Sequence, residues 1–257
     1  MVRLRYAIPF ACLCVIALFY PYDPYTMAIE LAYDGPQGSA FLGYDSLGRD
    51  LLSRIIYGMG TSLIVAVGVV TFTGLIGIAV GLIAGWCGGK VDTLLMRFAD
   101  IVLSLPGILV AVMFVALSEP SIFNIILALS LTGWVGFARL TRVQTQIVKK
   151  ADFVTASSLL GVSSFGILMR HILPNISTVL FVEGLFTAVG AMMAEAGLSF
   201  LGVGLAPPTP SLGSLLKEGA GAIMIAPHIV VCSGAGLAIL LLVFSWAGER
   251  LKLRVSR

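Results

Sequence analysis

Runs without a single Asp, Glu, Lys or Arg dominate this chain. They fall at 6–22, 55–89, 101–118, 120–138, 153–169, 196–216 and 219–248. A helix needs about 20 mostly apolar residues to cross a bilayer, within a range of about 17–25. Not every run qualifies. Residues 153–169 hold five Ser/Thr and two Gly, too polar and too broken for a span. Residues 196–216 contain Pro207, Pro208 and Pro210, which end any helix, so the span there is drawn at 176–203, interrupted by Glu183 and Glu195. The pattern predicts six spans: 6–20, 57–86, 98–118, 122–140, 176–203 and 228–247. The first follows Arg3 and Arg5 but shows no small-x-small cleavage pattern, so it reads as an uncleaved helix rather than a signal peptide. The predicted fold class is an all-α integral membrane protein. Residues 1–56 hold the first span and an external segment, 57–250 the main transmembrane domain with a cytoplasmic loop at 141–175, and 251–257 a tail.

Composition agrees. Hydrophobic residues make up 58%, charged residues 11%, and the mean hydropathy is +1.03. Soluble domains average about 45–50% apolar and about 25% charged, so the solvent here is lipid. The net charge of +3 gives no indication of a nucleic-acid partner. Cys12, Cys14, Cys87 and Cys232 all lie in or beside apolar runs and read as small buried hydrophobes. Neither His171 nor His228 has a partner at ligand spacing, so no metal site is expected.

Charge bias orients the chain. With the N-terminus cytoplasmic, thirteen of the sixteen Lys and Arg lie inside, and only Arg49, Arg54 and Lys217 lie outside. Both termini are therefore predicted to be cytoplasmic.

Two polar segments stand out. The external one contains "FLGYDSLGRDLLSRIIYG", 41–58. Gly43 to Asp45 predict a turn, and Asp45 or Ser46 can cap a helix starting just after it. Leu47, Leu51, Leu52, Ile55 and Ile56 form an apolar stripe, with Gly48, Arg49, Asp50, Ser53 and Arg54 around it. Asp50 and Arg54, at i and i+4, suggest a surface pair worth about 0.2–0.5 kcal/mol. The pattern predicts an interfacial helix, apolar face down, that braces the outer gate or meets an external partner.

The cytoplasmic segment reads "TRVQTQIVKKADFVTASSLLGVSSFGILMRHILPN". Asp152 favours a helix start, Phe153, Ala156 and Leu160 share a face, and Gly161 suits the position past a helix end. Ser163 or Ser164 can cap a second helix, and Pro174 marks entry to span five. This is a helix, a glycine break and a helix, flanked by basic residues. It is either an amphipathic interfacial element or a docking element, in which Thr155, Ala156, Ser157 and Ser158 allow close approach.

Helix–Gly–helix followed by "HILPN" resembles the EAA loop of importer permeases in the ABC transporter superfamily. The usual pattern is Glu-Ala-Ala, three residues, Gly, then Leu-Pro twelve residues on. Here Thr155-Ala156-Ser157, Gly161 and Leu173-Pro174 occupy those positions, without the Glu. "GGKVDTLLMRFADIVLSLP", "EAGLSFLGVGLAPPTPSLGSLL" and "AGER" occur in the expected order. Together these blocks are similar to the C-type permease of the oligopeptide, dipeptide and nickel importers, over about 41–250. The resemblance implies a type I importer permease fold in a bacterial inner membrane and no covalent chemistry. It implies pairing with a B-type permease, two ATPase subunits on the cytoplasmic loop and an external substrate-binding protein. Asp152, Phe153, Thr155, Ala156, Ser157, Leu160, Gly161, Arg170 and Pro174 would form the coupling surface. ATP and Mg would be held by the partner subunits; no G-x-x-x-x-G-K-[ST] loop is present. Di- or oligopeptides are the favoured cargo, with nickel or another metal chelate as the alternative. A secondary transporter would show internal repeats, and none is evident.

Two acids interrupt span five. Glu183 is either a pore-facing group at the pathway or gate, or a hydrogen-bonded carboxylate within the bundle. Glu195 is expected near the outer interface, where charge is cheap, with a structural or gate role. Gly74, Gly77, Gly81 and Gly85 share one face of span two and predict close helix packing.

Overall fold

The computed structural model describes residues 23–38 and 40–255, and it is helical throughout its core. The predicted span at 6–20 lies outside the described residues. The helices are α1 (Leu51–Cys87), α2 (Gly89–Leu103), α3 (Gly107–Ala116), α4 (Ile122–Val148), α5 (Asp152–Leu159), α6 (Ser164–Ile167), α7 (Leu173–Leu201), α8 (Leu212–Gly221) and α9 (Pro227–Val255). Among the described residues, four stretches are long and apolar enough to cross a membrane: α1, α4, Ser164–Leu201 and Pro227–Leu253. The pair α2 and α3 adds a fifth if counted together.

Helix α1 begins earlier than predicted. Asp50 caps it by accepting from the Ser53 N–H at 2.7 Å. The 45–56 stretch is therefore no separate interfacial helix, and the predicted boundary at 56/57 falls inside α1. Ahead of it, residues 23–38 and 40–50 form turns, two isolated β-bridges (Gln37 with Ala40, Tyr44 with Asp50) and one short 3-10 segment, Ile29–Leu31.

The span drawn at 98–118 is broken rather than straight. Helices α2 and α3 meet at 69° around Ser104–Pro106. Pro106 has no N–H to continue the ladder and disfavours helical geometry in the residue before it.

The next span runs on through Pro174. That residue sits in the first turn of α7 and offers no N–H to the Arg170 carbonyl. The backbone just ahead widens into a π-turn, Leu168–Ile172. Helix α7 ends at Gly202, whose φ is +87°. The short helix α8 was not predicted. Ser211 and Ser214 close a reciprocal capping box at its start. Helix α9 continues to Val255, so residues 251–255 of the predicted tail are helical.

Packing centres on α1, which lies along α4, α7 and α9. Gly77, Gly81 and Gly85 face α4 at backbone distance. A Cβ on Gly81 would stand 2.5 Å from the Ala138 carbonyl oxygen, and one on Gly85 2.7 Å from that of Arg142. Gly77 meets the Trp134 carbonyl more closely still. Gly74, predicted with them, has room: its nearest neighbour would be the Phe137 ring at 3.9 Å. Leu51, Ile55, Met192, Leu212, Ile229 and Leu240 build a core at one end. Val154, Ile167, Ile172 and Ile176 build another at the opposite end.

Two substitutions separate these roles. Gly81→Ala is expected to lower the melting temperature of the detergent-purified protein, since overpacking costs about 1–3 kcal/mol. Gly74→Ala should leave it unchanged. Equal behaviour of the two in a thermal scan would argue against the backbone seam.

Candidate functional site

The candidate coupling element projects from the α4 end of the bundle. Helix α5 is anchored through Val154, which is buried among Ile167, Ile172 and Ile176. Its other faces are open. Leu159 and Leu160 are each 84% exposed, and Phe153 and Phe165 also reach solvent. Asp152 is the first helical residue and Ala151 the cap position, so Asp152 acts through its charge at the helix start rather than as a cap. Thr155, Ala156 and Ser158 are exposed, and Ser157 is half-buried. The hydroxyls of Ser157 and Ser158 donate back to the carbonyls of Phe153 and Thr155, each at 2.7 Å. They are thereby folded onto the helix and leave a smooth surface. Gly161 has φ +80° and ends the helix; the Val162 N–H returns to the Ser157 carbonyl at 3.2 Å. Ser163 then caps α6 by accepting from the Gly166 N–H. Arg170 is exposed, and the ring of its neighbour His171 lies 6.3 Å from that of Phe153. Sequence reasoning passed over Val154 and Leu159. The "SLLG" run was the available signal for Leu159: two adjacent leucines before a helix-ending glycine sit about 100° apart and widen the apolar face.

Charges hold the base of this element. Arg142 grips Asp92 through Nε and through Nη2, the latter at 2.6 Å from Oδ2, tying α4 to α2. Arg139 reaches Asp100 at 2.6 Å on the surface. Lys149 donates to the Trp86 carbonyl at 2.6 Å while its ammonium lies 4.9 Å from the Trp86 ring centre. A cation at the carbonyl end of α1 is favourably placed. In the sequence these residues carried weight only as topological charges.

At the opposite end the predicted surface pair is replaced by a buried ion cluster. Asp45, Arg49 and Arg54 are nearly inaccessible. The Asp45 carboxylate accepts from the Leu47 and Arg49 N–H groups at 2.8 and 2.9 Å, from Arg49 Nε at 2.6 Å, and from Arg54 Nη1. Arg54 also donates to Glu218 of α8 at 3.2 Å, and Glu218 accepts from the Ser46 N–H at 2.8 Å. Asp50 is a helix cap, not the partner of Arg54. Gly48 has φ +70°, and any side chain there would run into the Ala28 carbonyl. This stretch is thus a folded plug against α8, not an amphipathic helix on lipid. The difference has a physical cause: charges look surface-bound until partners 164 residues away are known.

The two acids of α7 differ. Glu195 is fully buried within the protein. It accepts from the Ser62 hydroxyl at 2.7 Å and from the Ser199 hydroxyl at 2.9 Å. Glu183 is half-buried, facing Gly136 of α4. Between α1, α7 and α9 runs an apolar groove of about 510 Å³, lined by residues that include Val67, Gly74, Phe137, Phe181, Leu185 and Phe244.

The described residues form a helical bundle with a solvent-exposed helix–glycine–helix at one end. Its fold is similar to that in the inward-facing conformations of the MetNI methionine ABC transporter, with a TM-score of 0.65 and 19% identity, over 80% of this chain and 98% of that one. Residues 77–257 match the model of the family described as binding-protein-dependent transport system inner membrane component, and the chain belongs to that family. Among its relatives is the dipeptide transport system permease protein DppC of Haemophilus influenzae, 35% identical over 92% of this chain and 81% of that protein. DppC of Lactococcus lactis is 37% identical over 82% of this chain, a match that spans 61% of the Lactococcus protein. The glutathione transport system permease protein GsiD of Pectobacterium atrosepticum is 34% identical over 89% of this chain and 77% of its own length. The chain is a permease subunit of an ABC importer and not an enzyme.

The ion cluster makes an ordered prediction. Removing one partner of a buried pair costs about 3–5 kcal/mol, so Asp45→Asn should destabilise strongly. Glu218→Gln should cost less, because that side chain keeps 20% of its exposure while Asp45 keeps none. Thermal denaturation of both variants checks the order.

Proposed function

We propose that this chain forms one half of the membrane pathway of an ATP-driven importer of short peptides. A related permease supplies the other half, two ATPase subunits dock on the α5–α6 element and hold the ATP and Mg, and a binding protein delivers cargo on the far side. In this reading the chain crosses the bilayer six times: residues 6–20 supply the first span and the bent α2–α3 pair the third. The membrane is the bacterial inner membrane, and both termini are cytoplasmic. The charge distribution supports that orientation. Lys90, Arg97, Lys149, Lys150, Arg170, Arg250 and Lys252 cluster toward the α5 end, whereas Arg49 and Arg54 at the other end are neutralised by Asp45 and Glu218.

The observation that carries the docking role is the exposure of Leu159 and Leu160 on a helix pinned from behind by Val154. Apolar anchors on a polar rim are the usual heart of a protein interface. Asp152, Phe153, Thr155, Ala156, Ser157, Leu160, Gly161, Arg170 and Pro174 remain the proposed coupling residues, with Leu159 added. Closure of the ATPases would push α5 and, through the π-turn, the base of α7. Peptide cargo is favoured because relatives at 34–37% identity are named for dipeptide and glutathione transport, and glutathione is itself a tripeptide. The nickel alternative gains no support from these relatives.

Co-purification with the cognate ATPase subunits tests the docking. Leu160→Asp should weaken retention at least about tenfold, since burying one leucine is worth about 1.5–3 kcal/mol. Gly161→Val forces a β-branched residue into left-handed backbone at a cost of about 1–2 kcal/mol. It should impair transport and ATPase stimulation with membrane insertion intact. Wild-type transport by Gly161→Val would sink the coupling role.

A further inference from the structure

Glu183 lies in α7, seven residues past the start of the span drawn at 176–203. At 1.5 Å per residue that is about 10 Å along the helix, inside the apolar layer. A carboxylate at that depth is costly against lipid and is held by partners or faces water. Glu195 has its partners in Ser62 and Ser199. Glu183 has none: among the described residues no hydrogen bond reaches it and no cation lies within 4.0 Å. The nearest feature is the bare backbone of Gly136, where a Cβ would stand 3.0 Å from Oε1. Arg139, one turn further along α4, is occupied by Asp100.

The surroundings of the carboxylate are open and small. Glu183, Thr187, Gly190, Ala194 and Gly197 follow one another at i, i+4, i+7, i+11 and i+14, a single face of α7 without a large aliphatic side chain. A Cβ on Gly190 or Gly197 would meet nothing within 4 Å. Gly136 is likewise exposed on α4. The opposite side of α7 carries Phe181, whose exposed ring suits lipid or a greasy partner. The Glu183 face suits neither; it suits a water-filled passage.

We propose that Glu183 lines the passage between the two permease halves within the membrane and takes the cationic amino end of the cargo. This rests on the peptide-importer reading. A short peptide carries one α-ammonium that every sequence shares, so an isolated acid recognises it without regard to side chains. The small residues between Glu183 and Gly197 leave space for those variable side chains. Glu183 is thereby a specificity-determining group for charge, not for sequence.

The test uses the complete complex in proteoliposomes with its binding protein and radiolabelled Ala-Ala. Glu183→Gln should lower maximal uptake about tenfold, the loss of one charge-assisted hydrogen bond, with the half-saturating concentration unchanged. Glu183→Asp should retain most of the uptake. In a background with the four cysteines replaced, Glu183→Cys should be modified by a hydrophilic, membrane-impermeant thiol reagent. Unchanged uptake by Glu183→Gln overturns the proposal. So does failure of that variant to assemble with the other permease, which would assign the carboxylate to a basic group on that subunit. An unreactive thiol overturns it as well. If the wild-type complex carries neither Ala-Ala nor any other short peptide, the cargo reading falls instead. Thiol labelling then still decides whether position 183 faces water.

Discussion

Everything in this bundle is referred to the contact between α1 and α4. Three glycines on α1 admit the carbonyls of α4 to distances that no side chain would allow. In a membrane, helices gain little from hiding apolar surface from one another, because lipid is equally apolar. Close van der Waals contact along a small-residue seam is what remains. With α1 and α4 locked, α7 and α9 have a fixed surface to pack on, and the ends of α1 fix both functional poles. Its first turn carries Arg54 into the buried ion cluster. Its last turn offers the Trp86 carbonyl to Lys149, just ahead of the coupling element.

The helix α8 shows how polar groups fix a position that apolar ones cannot in such an environment. It is held through Glu218, which accepts from Arg54 of α1 and from the Ser46 N–H. The backbone of Gly213 rides against the Ala196 carbonyl. Apolar packing alone would let a ten-residue helix slide between longer neighbours. One carboxylate with two partners and one close backbone contact fix its place together.

Much of this was legible in the sequence. Hydropathy placed the middles of α1, α4, α7 and α9, because membrane solvation imposes the same demand on every residue of a span, but α1 starts six residues earlier and α4 and α9 each run eight residues further. The glycine rhythm of α1 announced the seam, and the small residues before Gly161 announced a short helix with an open surface. What escaped was non-local. Asp45, Arg49 and Arg54 read as a surface because charge ordinarily means water, yet the partner Glu218 lies far along the chain. The partners of Glu195 escaped for the same reason, since Ser62 is not visible from its neighbourhood. Pro106 is different: the break is written in "LSLPG", but the length of the apolar run masks it. Helix α8 is short and barely apolar, so no periodicity marked it; its Ser-x-x-Ser capping box was the one local sign.

The π-turn at Leu168–Ile172 acts as a phase offset. One residue more than an α-helical turn requires is taken up there, so everything on one side is rotated by about 100° relative to everything on the other. The angular setting between the α5–α6 element and the Glu183 face is therefore stored in a single backbone irregularity. A chain one residue shorter in this region would have almost the same hydropathy and composition. It would present those two faces in a different mutual orientation, so that loss or gain of one residue here is a change of gearing rather than of length.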